Sequence, residues 1–243
     1  MSPKYNIRYA TESDVPGLNT VNVLSFQSRR SRTAIFPNAS LPVLKEYKSL
    51  NCMKSLANPD LHVIAIEDQD PGSSTEDPKH AIESDSLKIG VVAYARWLIP
   101  EILGNGPHIV HLSPHGHDLA AAAETPLQHA PQPMNEDLYN ASRALYGQAR
   151  KKYMDERDIV LDFLATLPSH RGKGLGSALL EWGIEKADAL QTRIYLEATP
   201  EGMALYTRYG WKPIEDYKLD LELYGVTSEE VFTVMVREPK SVA

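Results

Sequence analysis

Apolar residues in this chain fall into short alternating runs, separated by longer stretches at helical spacing. Tyr5 to Tyr9 alternates like a short strand, and Thr11-Glu12-Ser13-Asp14 reads as a helix entrance. Val15 to Phe26 carries Leu18, Val21, Val23 and Phe26 at a spacing that suits one helix. Pro42 to Leu56 suits a second, which Asn58-Pro59 ends. Leu61 to Glu67 alternates as a strand, and Leu87 to Leu98 supplies the next, with Gly90 inside it and Pro100 closing it. Asn135 to Glu156 predicts a helix with Leu138, Ala141, Leu145 and Ala149 on one face, and Ile159 to Leu167 is a nearly continuous apolar run. Arg193 to Ala198 is a further strand. Thr199 caps a short helix, Glu201 to Tyr209, with Pro200 at its first position and Gly210 as its stop. Lys212 to Leu223 and Val231 to Arg237 complete the sheet as an antiparallel pair. The pattern alone predicts an α/β or α+β fold with a mixed sheet.

Two insertions interrupt it. Asp68 to Ser86 is acidic and full of turn residues, and reads as a solvated hairpin tip. Glu101 to Gln132 is rich in Pro, His, Gly and Ala. With no internal repeat and no sign of a second folding unit, one domain is expected over residues 1–243, with insertions at about 68–86 and 101–156. His108, His111, His115 and His117 have spacings that invite zinc. No cysteine lies near them, however, and Pro114 and Gly116 disrupt a helix there, so we expect a polar loop and no metal.

Composition narrows the function class. The 243 residues are 42% hydrophobic, enough for a sizeable core. The one cysteine, Cys52, excludes an internal disulfide and reads as a small core residue rather than a nucleophile. Met1 to Asp14 is too polar for a signal peptide, and no apolar run approaches the ~20 residues of a membrane span, so a cytoplasmic protein is expected. A net charge of −7 argues against general nucleic-acid binding and suits a cationic amine.

Chemistry enters at Arg171-Gly172-Lys173-Gly174-Leu175-Gly176-Ser177, between the apolar run and a segment of helix formers. A strand, a glycine turn and a helix N-terminus together make an anion site suited to a pyrophosphate. A Walker loop is excluded, because Leu175 stands where its lysine should follow a glycine. A dinucleotide fingerprint is met by Gly172, Gly174 and the later Glu197, but Ser177 occupies its third glycine position. Arg-x-x-Gly-x-Gly is satisfied by Arg171, Gly174 and Gly176.

With that hexad the chain resembles the GNAT superfamily of acyl-CoA-dependent N-acyltransferases. Leu164-Ala165-Thr166-Leu167-Pro168 before the turn, the strand at Arg193 to Ala198 and the phrase Leu205 to Trp211 extend the likeness over residues 157–214, about a quarter of the chain. Tyr195 to Pro200 further resembles an uncharacterised subgroup common in fungi. The resemblance implies a mostly antiparallel sheet splayed between its fourth and fifth strands, with helices on both faces. It also implies acetyl-CoA as co-substrate: backbone at Leu164, Ala165 and Thr166 on the pantetheine, and Arg171 to Ser177 on the phosphates. Tyr206 then stands where family members place a general acid. Two carboxylates in apolar strands, Asp162 and Glu197, are candidate bases, each with a structural ion pair to Arg193 or Arg8 as the alternative; strict alternation puts Asp162 on one face with Leu164 and Thr166. Three arginines between the first two helices, Arg29, Arg30 and Arg32, could meet an anion or simply belong to a solvated loop. The expected acceptor is an amine of a small molecule or peptide, and the expected state a monomer or homodimer. An idle CoA-binding module and a protein lysine or N-terminal acetyltransferase are the alternatives.

Overall fold

The computed structural model describes residues 4–27, 29–70 and 90–240, so most of the expected acidic hairpin tip lies outside the described residues. The strands are β1 (Tyr5–Tyr9), β2 (Leu61–Asp68), β3 (Val91–Leu98), β4 (Ile159–Thr166), β5 (Ile194–Ala198), β6 (Lys212–Asp220) and β7 (Glu229–Arg237). They form one sheet in the order β1-β2-β3-β4-β5-β7-β6. Only β4 and β5 run parallel; every other neighbouring pair is antiparallel. The helices are α1 (Val15–Ser25), α2 (Arg30–Ile35), α3 (Leu41–Ala57), α4 (Pro114–Ala122), α5 (Glu136–Tyr153), α6 (Leu175–Ala189) and α7 (Pro200–Arg208). This is the mixed α/β architecture that the pattern and the resemblance predict.

The central strands are apolar on both faces because both are covered. Ile159, Leu161, Ile194 and Leu196 join one core with Leu179, Leu180 and Ile184 of α6. Val160 and Tyr195 face the other way, onto Ala149 of α5 and onto Phe232 and Val234 of β7. The approach on the α6 side is close. A Cβ on Gly183 would collide with the indole of Trp97, which is fully buried in β3.

Three sequence expectations change. Pro114 and Gly116 do not break a helix; they start one. Ser113 caps α4, accepting from the Gly116 N–H at 3.1 Å, and Pro114 takes the first-turn place where its missing N–H costs nothing. Glu12 also docks there, accepting from the Ser113 N–H at 2.6 Å, and a Cβ on Gly116 would meet its carboxylate at 2.8 Å. β6 stops at Asp220, because Leu221 turns into the core, fully buried, and Gly225 closes a single tight turn at φ 80°. The short α2 forms inside the segment expected to be a loop.

His62 on β2 carries a pH dependence. Its ring is 3% exposed and hydrogen-bonds Tyr9 at 2.9 Å through Nδ1. Burial, with His108 and Lys186 nearby, pushes its pKa down to about 4. The unfolded chain takes up the proton near pH 6.5 and the folded chain only near 4, so stability is full above about 6.5 and falls as pH drops through that window. The loss is on the order of 3 kcal/mol. Urea midpoints measured from pH 7 to 4 should show it, and His62→Gln should flatten the slope.

Candidate active site at the split between β4 and β5

The parallel pair is short. β4 and β5 are in register only at Ile159–Ile194, Val160–Tyr195 and Leu161–Leu196. Beyond Leu161 the β5-facing edge of β4 has no strand partner, so backbone groups of residues 162–166 on that edge are available to a ligand. A bulge sits at the same point. Arg96 pairs with Phe163 and Trp97 with Leu161, which leaves Asp162 as the extra residue. The bulge overturns the expected alternation. Asp162 and Phe163 both lie against Arg96, with the carboxylate 2.8 Å from its guanidinium and the Phe163 ring 5.0 Å from it. The following residues, Leu164 and Thr166, are thereby turned to the opposite face from Phe163 and Ala165.

Asp162 and Glu197 are brought together by a residue that the sequence reading did not single out. Arg150 of α5 reaches Glu197 at 2.7 and 3.0 Å and Asp162 at 3.1 Å. Tyr195 also donates to Glu197, at 3.1 Å. The side chain of Glu197 is 4% exposed and that of Asp162 25%. Burial alone would raise the Asp162 pKa, but Arg96 and Arg150 outweigh it and hold the carboxyl below the usual carboxylate range. The expected alternative partners are engaged elsewhere: Arg193 with Asp158 at 2.6 Å, and Arg8 with Asp14 at 2.7 Å. The available signal was the place of Arg150 beside Ala149 on the buried stripe of α5, together with two strand carboxylates that needed a cation.

On the other side of the split, the glycine turn opens α6. Gly172 and Gly174 have φ of 75° and 79°, in the left-handed region, and Gly174 is the N-cap. Nothing lies within 4 Å of a Cβ placed on either, so the turn has open space above it for a pyrophosphate. Arg171 to Gly174 are exposed. Leu175 turns its side chain into the core, 1% exposed, and has only backbone to offer. Gly176 backs onto Leu205 at 3.4 Å, and Ser177 is half-buried. Arg171 donates to the Ser25 carbonyl at 3.1 Å, and the Ser25 hydroxyl donates to the Thr166 carbonyl at 2.9 Å. The end of α1 thus touches both the turn and the end of β4.

Tyr206 projects from α7, 9% exposed and tilted against Trp211. Its ring passes 2.7 Å from where a Cβ on Gly202 would be, so the glycine makes its room. Burial pushes the phenol up to about 12. Tyr209, by contrast, anchors the helix through Glu181 at 2.8 Å.

The arginines after α1 are not a free cluster. Arg29 pairs with Glu230, Arg30 donates to the Thr227 carbonyl at 3.0 Å and Arg32 to the Val23 carbonyl at 2.6 Å. Cys52 is buried, donates to Asn19 at 3.0 Å and is pushed up to about 11 by burial, which leaves an unreactive thiol. His108 stacks on Tyr9 at 3.7 Å, while His111, His115 and His117 are exposed. No group of three metal-binding side chains forms among the described residues.

Two cavities flank this region. The larger, about 830 Å3, lies between α2, the start of α5 and the β6–β7 turn, and no residue of β4, β5 or α7 lines it. The smaller, about 520 Å3, is lined by Asn22 of α1, by Lys48, Cys52 and Ser55 of α3, and by Arg96 and Asp162. Because Asp162 stands at the split, the smaller cavity is the one placed for chemistry.

Residues 137–213 match the family model for an acetyltransferase (GNAT) domain, a segment running from the first turn of α5 into β6. That stretch is similar to GNAT acetyltransferase domains. A relative named "Probable acyltransferase SID5", from Ajellomyces capsulatus, is 27% identical over 85 residues, which is 35% of this chain and 62% of that protein. Among solved structures, histone acetyltransferase HPA2 and related acetyltransferase from Corynebacterium glutamicum superposes with a TM-score of 0.53 at 19% identity, covering 99% of both chains. PH1933 from Pyrococcus horikoshii superposes at 0.51 and 10% identity, covering 98% of this chain and 99% of that one. At these identities the superpositions speak to fold. The parallel β4–β5 pair is where the GNAT resemblance puts it, and α4 and α5 fill the connection between β3 and β4. Among the described residues no helix is long and apolar enough to cross a membrane.

Proposed function

We propose that this chain is an N-acetyltransferase, moving an acetyl group from acetyl-CoA to an amine by direct attack in a ternary complex. The observation that carries the reading is the β4–β5 split beside a glycine turn with open space at a helix N-terminus. Arg171, Lys173 and the backbone from Gly172 to Ser177 would hold the phosphates, and the free edge of β4 at Leu164, Ala165 and Thr166 would hold the pantetheine amides. Acetyl-CoA would bring the activated acyl group. A backbone N–H of β4 near the split would stabilise negative charge on the carbonyl oxygen under attack.

Tyr206 is the proposed acid. A phenol pushed up to about 12 stays protonated at neutral pH and can give its proton to a departing thiolate. Of the carboxylates, Asp162 lines the cavity, where Arg96 and Arg150 share it. Held below the usual carboxylate range, it is too weak a base to deprotonate an amine of pKa near 10 directly. The proton therefore passes to solvent, and Glu197 fixes Arg150. A cavity of about 520 Å3 suits a small acceptor rather than a protein segment.

Calorimetry with acetyl-CoA, with NADH as control, tests the cofactor, and thiol release with an amine panel tests turnover. Tyr206→Phe should keep acetyl-CoA binding and lower kcat about 100-fold; unchanged kcat removes Tyr206 as the acid. Acetyl-CoA binding with no thiol released by any amine would favour a regulatory CoA-binding module.

A further inference from the structure

The smaller cavity has more positive charge than it can balance. Its lining holds Lys48, Lys54, Arg96 and Arg143 against only Glu124 and Asp162. Both carboxylates are taken: Glu124 by Lys54 at 3.0 Å and Asp162 by Arg96 at 2.8 Å. Lys48 and Arg143 are left with no carboxylate partner among the described residues. Arg143 is exposed, and among the described residues its guanidinium lies 5.6 Å from the Tyr139 ring and 3.4 Å from the hydroxyl.

Lys48 is the more telling of the two. Its side chain is half-buried on α3, and burial together with Arg32 and Arg96 pushes the ammonium down to about 8. Nearby donors are also unused: Nε of Arg96 and Nη2 of Arg32 are buried and make no hydrogen bond. Desolvated cations gathered around empty space are costly unless an anion completes them.

We propose that the acceptor of this site is an amine that also carries an anionic group, a carboxylate or a phosphate, received by Lys48 of α3 and Arg143 of α5. The inference rests on the acetyltransferase reading for the word acceptor, and on the cavity alone for the anion. Asp162 lines the same cavity at the split in the sheet but is already shared by Arg96 and Arg150, so the unmatched charge belongs to Lys48 and Arg143.

The test uses the full chain and matched probes: 5-aminopentanoate, its amide, pentylamine and an aminoalkyl phosphate. With acetyl-CoA, kcat/KM should be higher for the anionic amines than for the amide and pentylamine, by about tenfold to a hundredfold per charged contact. Lys48→Gln and Arg143→Gln should each remove most of that advantage while leaving pentylamine unchanged. The ratio of carboxylate to phosphate probe tells which anion the site takes. Equal rates for all four probes, or a variant that slows all four alike, overturns the proposal.

A second measurement stands apart from turnover. Pentanoate and inorganic phosphate should raise the melting temperature of the wild-type chain and not of the Lys48→Gln, Arg143→Gln double variant. Anion binding without acetyl-CoA binding would sink the acetyltransferase reading and keep the anion site. Acetyl-CoA turnover without any anion effect would do the reverse.

Discussion

Gly174→Asp should abolish acetyl-CoA binding in calorimetry while leaving the protein folded. The residue is the N-cap of α6 at φ 79°, with nothing within 4 Å of its Cβ position, so the new carboxylate meets no clash. Aspartate tolerates the left-handed backbone at φ 79° better than most residues, which limits the strain. Folding should therefore change little, and circular dichroism melts should shift by only a few degrees. The ligand fares differently. A carboxylate about 4 Å from a phosphate charge costs about 4 kcal/mol at an effective dielectric of 20, or about a thousandfold in affinity. Gly174→Asn separates charge from backbone: it should retain most of the binding. An Asp variant that binds acetyl-CoA normally would move the phosphate site elsewhere.

Arg150→Met should be among the most destabilising single changes in the chain. Glu197 and Asp162 would lose the cation between them, and Glu197, 4% exposed, would keep only the Tyr195 hydroxyl. Removing one partner of a buried ion pair costs about 3–5 kcal/mol, because the other charge stays behind. For a chain of this size that is a fall of about 10 °C in Tm. The double change Arg150→Met, Glu197→Gln removes the stranded charge, leaves Asp162 with Arg96, and should recover much of the loss. A single variant that melts like wild type would show that water already screens the cluster.

The sequence made some of this legible and hid the rest for physical reasons. Strands such as β2 and β4 and the turn at Gly172 and Gly174 are local features, written in alternation and in residues that tolerate positive φ. The bulge at Asp162 is not local. One inserted residue leaves the apolar pattern looking regular, and only the register against β3 shows that Phe163 shares its face with Arg96. The start of α4 was misread because Pro114 and Gly116 look like breakers; their meaning depends on Ser113 before them and on Glu12, 101 residues away in sequence. Arg150 was missed because it lies in the long connection between β3 and β4, far in sequence from Glu197, and ion pairs between distant segments leave no periodicity.

The order of the seven strands also says something about where this protein can be cut. The stretch that matches the family model, residues 137–213, contains β4 and β5 but neither β3 nor β7. In the whole chain those two strands protect the outer edges of the parallel pair. A fragment trimmed to the matched stretch would present two raw edges of an apolar sheet held together by three residue pairs, an invitation to self-association. The recognisable part is smaller than the part that can stand alone.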